Sequence, residues 1–305
     1  MAAADGYRTQ VGLLVQALPL VAVEPAFALK GGTAINLFIR DLPRLSVDID
    51  LTYLPVEDRS TSLGNIDAAM RRIAGTIESG IVGSRTQVVP LYSEGAVTKI
   101  LVNASGVQIK IEVTPVLRGC VYPPERRRVR ERVEESFGYA EIAVVSFSDL
   151  YAGKIVAALD RQHPRDLFDV RDLMANEGIS DDLRRAFIVY ILSHNRSMAE
   201  VLAPRLKDIQ QEFETGFVGM TEEEVTLQSL YEARGQLIAK IVGEMPDAHR
   251  RFLLSFKTGD PDWQLLGIPH AEKLPAVRWK ADNLAKLPDA KRGALVANLE
   301  KVFAR

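Results

Sequence analysis

Asp48 and Asp50, one residue apart in Leu45-Ser-Val-Asp-Ile-Asp-Leu-Thr-Tyr53, are the side chains here best placed to do chemistry. The segment Leu45–Tyr53 reads as a strand, and on a strand residues i and i+2 project from one face. Two carboxylates held that close repel unless a divalent cation lies against both. Mg²⁺ (or Mn²⁺) suits carboxylates, water and nucleotide phosphates. Just upstream, Gly31 and Gly32 fall between a strand-like Phe27–Lys30 and a helix-like Thr33–Arg40. Glycine lets backbone approach a ligand closely, and free N–H groups at a helix start attract anions. A triphosphate cradle is therefore expected, with Thr33 capping the helix and Gly31, Gly32, Thr33 and Ser46 contacting the nucleotide.

A two-metal phosphoryl-transfer site calls for a third carboxylate to bring the acceptor oxygen to one metal. Glu112, the lone acid in Ile109-Lys-Ile-Glu-Val113, offers it, making Asp48, Asp50 and Glu112 the expected metal ligands. The alternative is a solvated strand face with Lys110 on the same side. A bare Asp-x-Asp arises about once by chance in a chain this long. The signal is its conjunction with the glycine turn, Arg44, Ser46 and the downstream acid.

Two further charged groups stand out. Five arginines crowd into seven residues at Arg126, Arg127, Arg128, Arg130 and Arg132. They either grip RNA or NTP phosphates, or form a solvated helix face with Glu125, Glu131, Glu134 and Glu135 as partners. Lys154 lies on a helix with Leu150, Ile155 and Leu159 on its apolar face. On the next helix, Arg165 and Asp169 stand at the i, i+4 spacing of an ordinary ion pair.

The elements that must position these residues change character along the chain. Short β-branched segments alternate with helical ones to about residue 145, and Asn103-Ala-Ser-Gly106 joins two of them as a hairpin loop. Helices dominate afterwards, with Thr221 and Glu224 forming a capping box before a helix Glu222–Val242. The expected fold is α/β (α+β) and bilobed. A mixed-sheet α/β lobe (1–145) and an all-helical lobe (146–305) should enclose a cleft, with Trp263 and Trp279 anchoring the helical core.

Composition fits a globular chain: 47% of the 305 residues are hydrophobic and 26% charged. A net charge of -2 argues against coating nucleic acid non-specifically. A single cysteine, Cys120, excludes an internal disulfide and a Cys-rich zinc site, and the four histidines show no ligand spacing. The apolar run Val11–Leu29 is interrupted by Gln16, Pro19, Glu24 and Pro25, so a helix and connection are expected rather than a signal peptide or membrane span. A cytoplasmic location follows.

The stretch Gly31-Gly-Thr33 with Arg44-Leu-Ser-Val-Asp-Ile-Asp50 resembles the first motif of the AbiEii/AbiGii toxin family, a branch of the DNA-polymerase-β-like nucleotidyltransferases. Lys154-Ile-Val-Ala-Ala-Leu-Asp-Arg161, followed by Pro164-Arg-Asp-Leu-Phe-Asp169, resembles the family's second block. Leu274-Pro-Ala-Val-Arg-Trp-Lys280 is similar to a stretch of its longer members. The resemblance covers most of the chain. It implies a bilobed fold, metal binding at the first aspartate, and a need for Lys154 and Asp169 in catalysis, with Arg165 completing the nucleotide site. It also implies a toxin of a toxin–antitoxin or phage-defence system with a cognate antitoxin, moving NMP from NTP to an acceptor such as the tRNA 3′ end. A small-molecule or protein nucleotidylating enzyme and a non-catalytic NTP-binding module are the alternatives.

Overall fold

Described over residues 2–304 in a computed structural model, the chain divides into two compact units. The first runs to Ser146 and regains Gly219–Glu224; the second comprises Phe147–Val218 and the residues from Val225 onward.

In the first unit, helix α1 (Ala2–Val21) leads to β1 (Phe27–Lys30), the short α2 (Gly31–Ala34) and a π-helical stretch, Ile35–Ile39. Strand β2 (Asp48–Tyr53), helix α3 (Arg59–Gly80) and strands β3 (Arg85–Pro90), β4 (Val97–Ala104), β5 (Val107–Arg118) and β6 (Glu125–Arg128) follow. Helix α4 (Glu131–Phe137) and β7 (Glu141–Val144) complete it. The seven strands form one mixed sheet in the order β3-β4-β5-β2-β1-β7-β6. The β2–β5 and β1–β7 pairs are parallel and the rest antiparallel.

Alternation along the central strands divides the sheet into an apolar and a polar face. Ile49 and Leu51 on β2, Ile109, Ile111 and Val113 on β5, and Ile100 and Val102 on β4 are all buried. Helices α1 and α3 pack against β5 and β4. Each buried aliphatic side chain contributes about 1.5–3 kcal/mol. A one-residue slip of β2 would turn Asp48 and Asp50 into this core, so the same pattern that builds the core fixes the direction of the aspartates.

The elements depart from the sequence reading at several points. Strand β2 begins at Asp48 rather than Leu45, because the Leu45 N–H donates to the Met220 carbonyl at 2.9 Å and Arg44 bridges to Thr221. Residues 219–224 are therefore bound to the first unit, and no helix starts at Thr221. The helix there starts at Leu227 instead, where the Thr226 hydroxyl accepts from the Ser229 N–H at 3.1 Å. The hairpin loop narrows to Ser105 and Gly106, both at positive φ (52° and 75°), as a tight two-residue turn requires. The first arginines of the basic cluster form the edge strand β6, not a helix. Charged side chains on an edge strand discourage pairing with other chains.

Among the described residues, the regular elements of the second unit are all helices. Helices α5 (Phe147–Asp160), α6 (Pro164–Asn176) and α7 (Asp181–Leu192) are followed by α8 (Met198–Leu202), α9 (Gln210–Gly216) and α10 (Leu227–Ile238). Helices α11 (Asp247–Thr258), α12 (Pro275–Ala285) and α13 (Asp289–Phe303) end it. Leu159, Leu167, Val170, Phe187 and Leu230 are buried among them. Trp279, expected in the core, is 58% exposed, whereas Trp263 packs on Phe252 with ring centroids 5.0 Å apart. Among the described residues no helix is long and apolar enough to cross a membrane.

Candidate active site

The glycine turn is tight because β2 lies directly against it. Gly31 has φ +78°, and a Cβ there would sit 2.5 Å from Asp50 Oδ2. At Gly32 a Cβ would meet Arg44 Nη2 at 2.8 Å and Ser46 Oγ at 3.0 Å. Thr33 is buried and does not cap the helix. Its hydroxyl donates to the Asp48 carbonyl at 2.5 Å and lies 3.0 Å from Ser46 Oγ. Thr33 and the buried Ser46 thus tie α2 to the start of β2. The side chain of Asn36 donates to the Gly32 carbonyl at 2.8 Å and holds the turn from within.

Strand register builds a charged row across the polar face. Lys99 of β4 faces Glu112 of β5, Glu112 faces Asp50 of β2, and Asp50 faces Lys30 of β1. One step along, Lys110 of β5 faces Asp48. Lys110 Nζ lies 3.0 Å from Glu112 Oε2 and Lys99 Nζ lies 3.8 Å from it. Lys30 Nζ donates to Thr114 Oγ1 at 3.1 Å. Burial lowers the Lys30 pKa, and Asp50 is the strongest of the groups opposing that shift. Burial acts against the charge on Lys110 too. There Glu112, Asp48 and Asp50 outweigh it and raise the pKa above the ordinary lysine value.

The donor set fits one divalent cation. Asp48 and Asp50 share a face, and the Asp48 carboxylate takes part in no hydrogen bond or ion pair among the described residues. Mg²⁺ needs only one or two protein carboxylates when water and phosphate supply the rest. Glu112 stands opposite Asp50 on the same face, and its side chain is engaged by Lys110 and Lys99. Among the described residues no group of three His, Cys, Asp or Glu could hold a metal.

The arginine strand borders a groove of about 720 Å³ lined by Phe38, by Arg126, Arg127, Arg128 and Arg130, and by Glu131, Glu134 and Glu135. Arg126 pairs with Glu141 at 2.7 Å, Arg127 with Glu125 at 2.7 Å and Arg132 with Glu222 at 2.5 Å. Arg128 and Arg130 form no ion pair among the described residues.

In the second unit, Lys154 is buried on α5 and meets two carboxylates of α6. Its Nζ lies 2.8 Å from Asp166 Oδ1 and 3.0 Å from Asp169 Oδ2. Arg161 also pairs with Asp166. Burial works against the Asp166 charge, but Lys154 and Arg161 outweigh it and hold this carboxyl well below the usual range. The structure thus brings Lys154 and Asp169 together and adds Asp166, which the sequence reading did not single out. The i, i+4 ion pair of Arg165 with Asp169 is not formed; Arg165 makes no ion pair among the described residues.

A family model described as the nucleotidyl transferase AbiEii toxin of type IV toxin–antitoxin systems matches residues 12–283. The chain belongs to the AbiEii nucleotidyltransferase toxin family. A search of curated protein sequences finds no match. Among solved structures, MenT4, a nucleotidyltransferase toxin from Mycobacterium tuberculosis H37Rv, is similar at a TM-score of 0.61. The match is 15% identical and covers 91% of this chain and 93% of that one. Family membership makes the chain an NTP-using nucleotidyltransferase, and the MenT4 likeness shows that the fold is shared.

For this AbiEii enzyme the glycine turn yields a direct test. Gly31→Ala should lower turnover at least about tenfold, because the new methyl must displace Asp50 and misplacement of about 1 Å is enough for such losses. Gly64→Ala, on α3 with nothing within 4 Å of the added Cβ, should leave turnover unchanged. Equal turnover in both variants would show that Asp50 does not need its observed position.

Proposed function

We propose that the enzyme transfers a nucleoside monophosphate from NTP to an RNA hydroxyl, with the 3′ end of tRNA as acceptor. The observation that carries the transfer chemistry is the face on which Asp48 and Asp50 lie beside the Gly31-Gly32 turn. A divalent cation, Mg²⁺ or Mn²⁺, held by Asp48 and Asp50 would neutralise phosphate charge and polarise the reacting phosphoryl group. The backbone of the glycine turn receives the triphosphate, since the first N–H groups of a helix are free to donate to an anion. In the second unit Arg165 makes no ion pair among the described residues. Lys154 fixes Asp169 in place, consistent with the need for both residues that the family resemblance implies.

The acceptor reading rests on the β6 groove. Arg128 and Arg130 offer unpaired guanidinium groups suited to a sugar–phosphate backbone. A cognate antitoxin, the partner that a type IV toxin–antitoxin family implies, would restrain the activity in the cell. The experiment is incubation with each α-labelled NTP, Mg²⁺ and total RNA. Label should enter RNA of tRNA size in wild type. Arg128→Ser with Arg130→Ser should weaken RNA binding and make its dependence on log salt shallower by roughly 1.5, with NTP binding unchanged. Label entering only protein or small molecules would replace RNA as the acceptor.

A further inference from the structure

The charged row holds as many lysines as carboxylates. Three carboxylates, Asp48, Asp50 and Glu112, share the polar face with three lysines, Lys30, Lys99 and Lys110. Two of those lysines engage Glu112, at 3.0 Å and 3.8 Å. Lys110 is bound to stay close, because it stands two residues before Glu112 on the same strand and projects from the same face. Lys99 sits opposite Glu112 in an antiparallel pair, where neighbouring side chains interact directly. On the other side of Asp50, Thr114 holds the Lys30 ammonium at 3.1 Å. Three carboxylates alone would attract two divalent ions; three carboxylates beside three ammonium groups leave little surplus charge to hold a second.

We propose that this site takes a single divalent cation on Asp48 and Asp50, and that Lys30, Lys99 and Lys110 supply the positive charge a second metal would otherwise bring. Lys110 and Lys99 hold Glu112 away from metal binding, and all three lysines face the region where the triphosphate's charge must be offset. An ammonium is a compact point charge well suited to phosphate oxygens. The inference rests on the nucleotidyl-transfer reading and specifies its cation requirement.

Mn²⁺ binding to the full chain, followed by electron paramagnetic resonance with a non-hydrolysable α,β-methylene NTP, tests it without turnover. One Mn²⁺ per chain is expected in wild type and again in Glu112→Gln, with the affinity in Glu112→Gln changed by less than about threefold. Lys99→Gln with Lys110→Gln, at side chains about one-third exposed, should release Glu112 and allow a second Mn²⁺ to bind. Two Mn²⁺ per wild-type chain falling to one in Glu112→Gln would overturn the proposal while leaving nucleotidyl transfer intact. Absence of any nucleotide-dependent Mn²⁺ binding would overturn the transfer reading, and this proposal with it.

Discussion

Asp48→Asn should abolish nucleotidyl transfer, lowering turnover by more than about a thousandfold, with a melting temperature within a degree or two of wild type. A thousandfold corresponds to roughly 4 kcal/mol of transition-state stabilisation, within what a metal bound at a developing charge supplies. Stability should hold because the Asp48 carboxylate is only half-buried and makes no hydrogen bond or ion pair among the described residues, so its loss leaves no orphaned partner. Asp50→Asn should be equally inactive but somewhat less benign, since Asp50 also lies between Lys30 and the glycine turn. Single-turnover assays with labelled NTP and thermal melts separate the two effects. Wild-type turnover in Asp48→Asn, or turnover that persists in EDTA, would remove the metal from the mechanism.

Lys154→Ala should be the most destabilising single change in the second unit. It strands Asp166 and Asp169, each 1% exposed, and removing one partner of a buried ion pair costs about 3–5 kcal/mol. For a unit of this size that is a fall of about 10 °C in melting temperature. Turnover should fall as well, and a triple variant separates the causes. Lys154→Met with Asp166→Asn and Asp169→Asn removes all three charges and should recover most of the stability. If the family's requirement for this lysine and aspartate applies, it should recover none of the turnover. Recovery of both would make the cluster purely a matter of packing. The pH dependence carries the same information. Asp166 has its folded pKa depressed, so its contribution is full above the unfolded value near 3.8 and is lost as pH falls through the folded value. Between pH 5 and pH 3 wild type should therefore lose melting temperature more steeply than Asp166→Asn.

The aspartate pair and Glu112 were legible in the sequence because strand alternation is local: spacing alone puts i and i+2 on one face. Lys30 was not. A lysine before two glycines carries no periodic signal, and its relation to Asp50 arises only when β1 pairs antiparallel with β2. The engagement of Glu112 by Lys99 depends on a third strand, a pairing that spacing on β5 cannot show. Asp166 was hidden by the competing i, i+4 geometry of Arg165 and Asp169, a prior that ignores which face of α6 meets α5. The arginine strand was missed because arginine has little strand preference; an edge position with Glu141 nearby overrides it. The shift of α10 to Leu227 has the same origin. A capping box is a local signal, and the carbonyl of Met220 is committed elsewhere.

Residues 219–224 give the folding of this enzyme a clock. Leu45 and Arg44, which lead into Ser46 and Asp48, find backbone partners at Met220 and Thr221. On a ribosome adding about 5–20 residues per second, those partners appear some 4–15 s after Ser146 has been made. Through that interval the sheet can assemble around β1, β2 and β5, and Thr33 can tie Ser46 and Asp48 to α2, but Arg44 and Leu45 still lack their partners in residues 219–224. The nascent chain therefore lacks the finished lead into β2 until nearly half of its helical unit has also been synthesised. Cutting the gene after Ser146 would make that unfinished condition permanent.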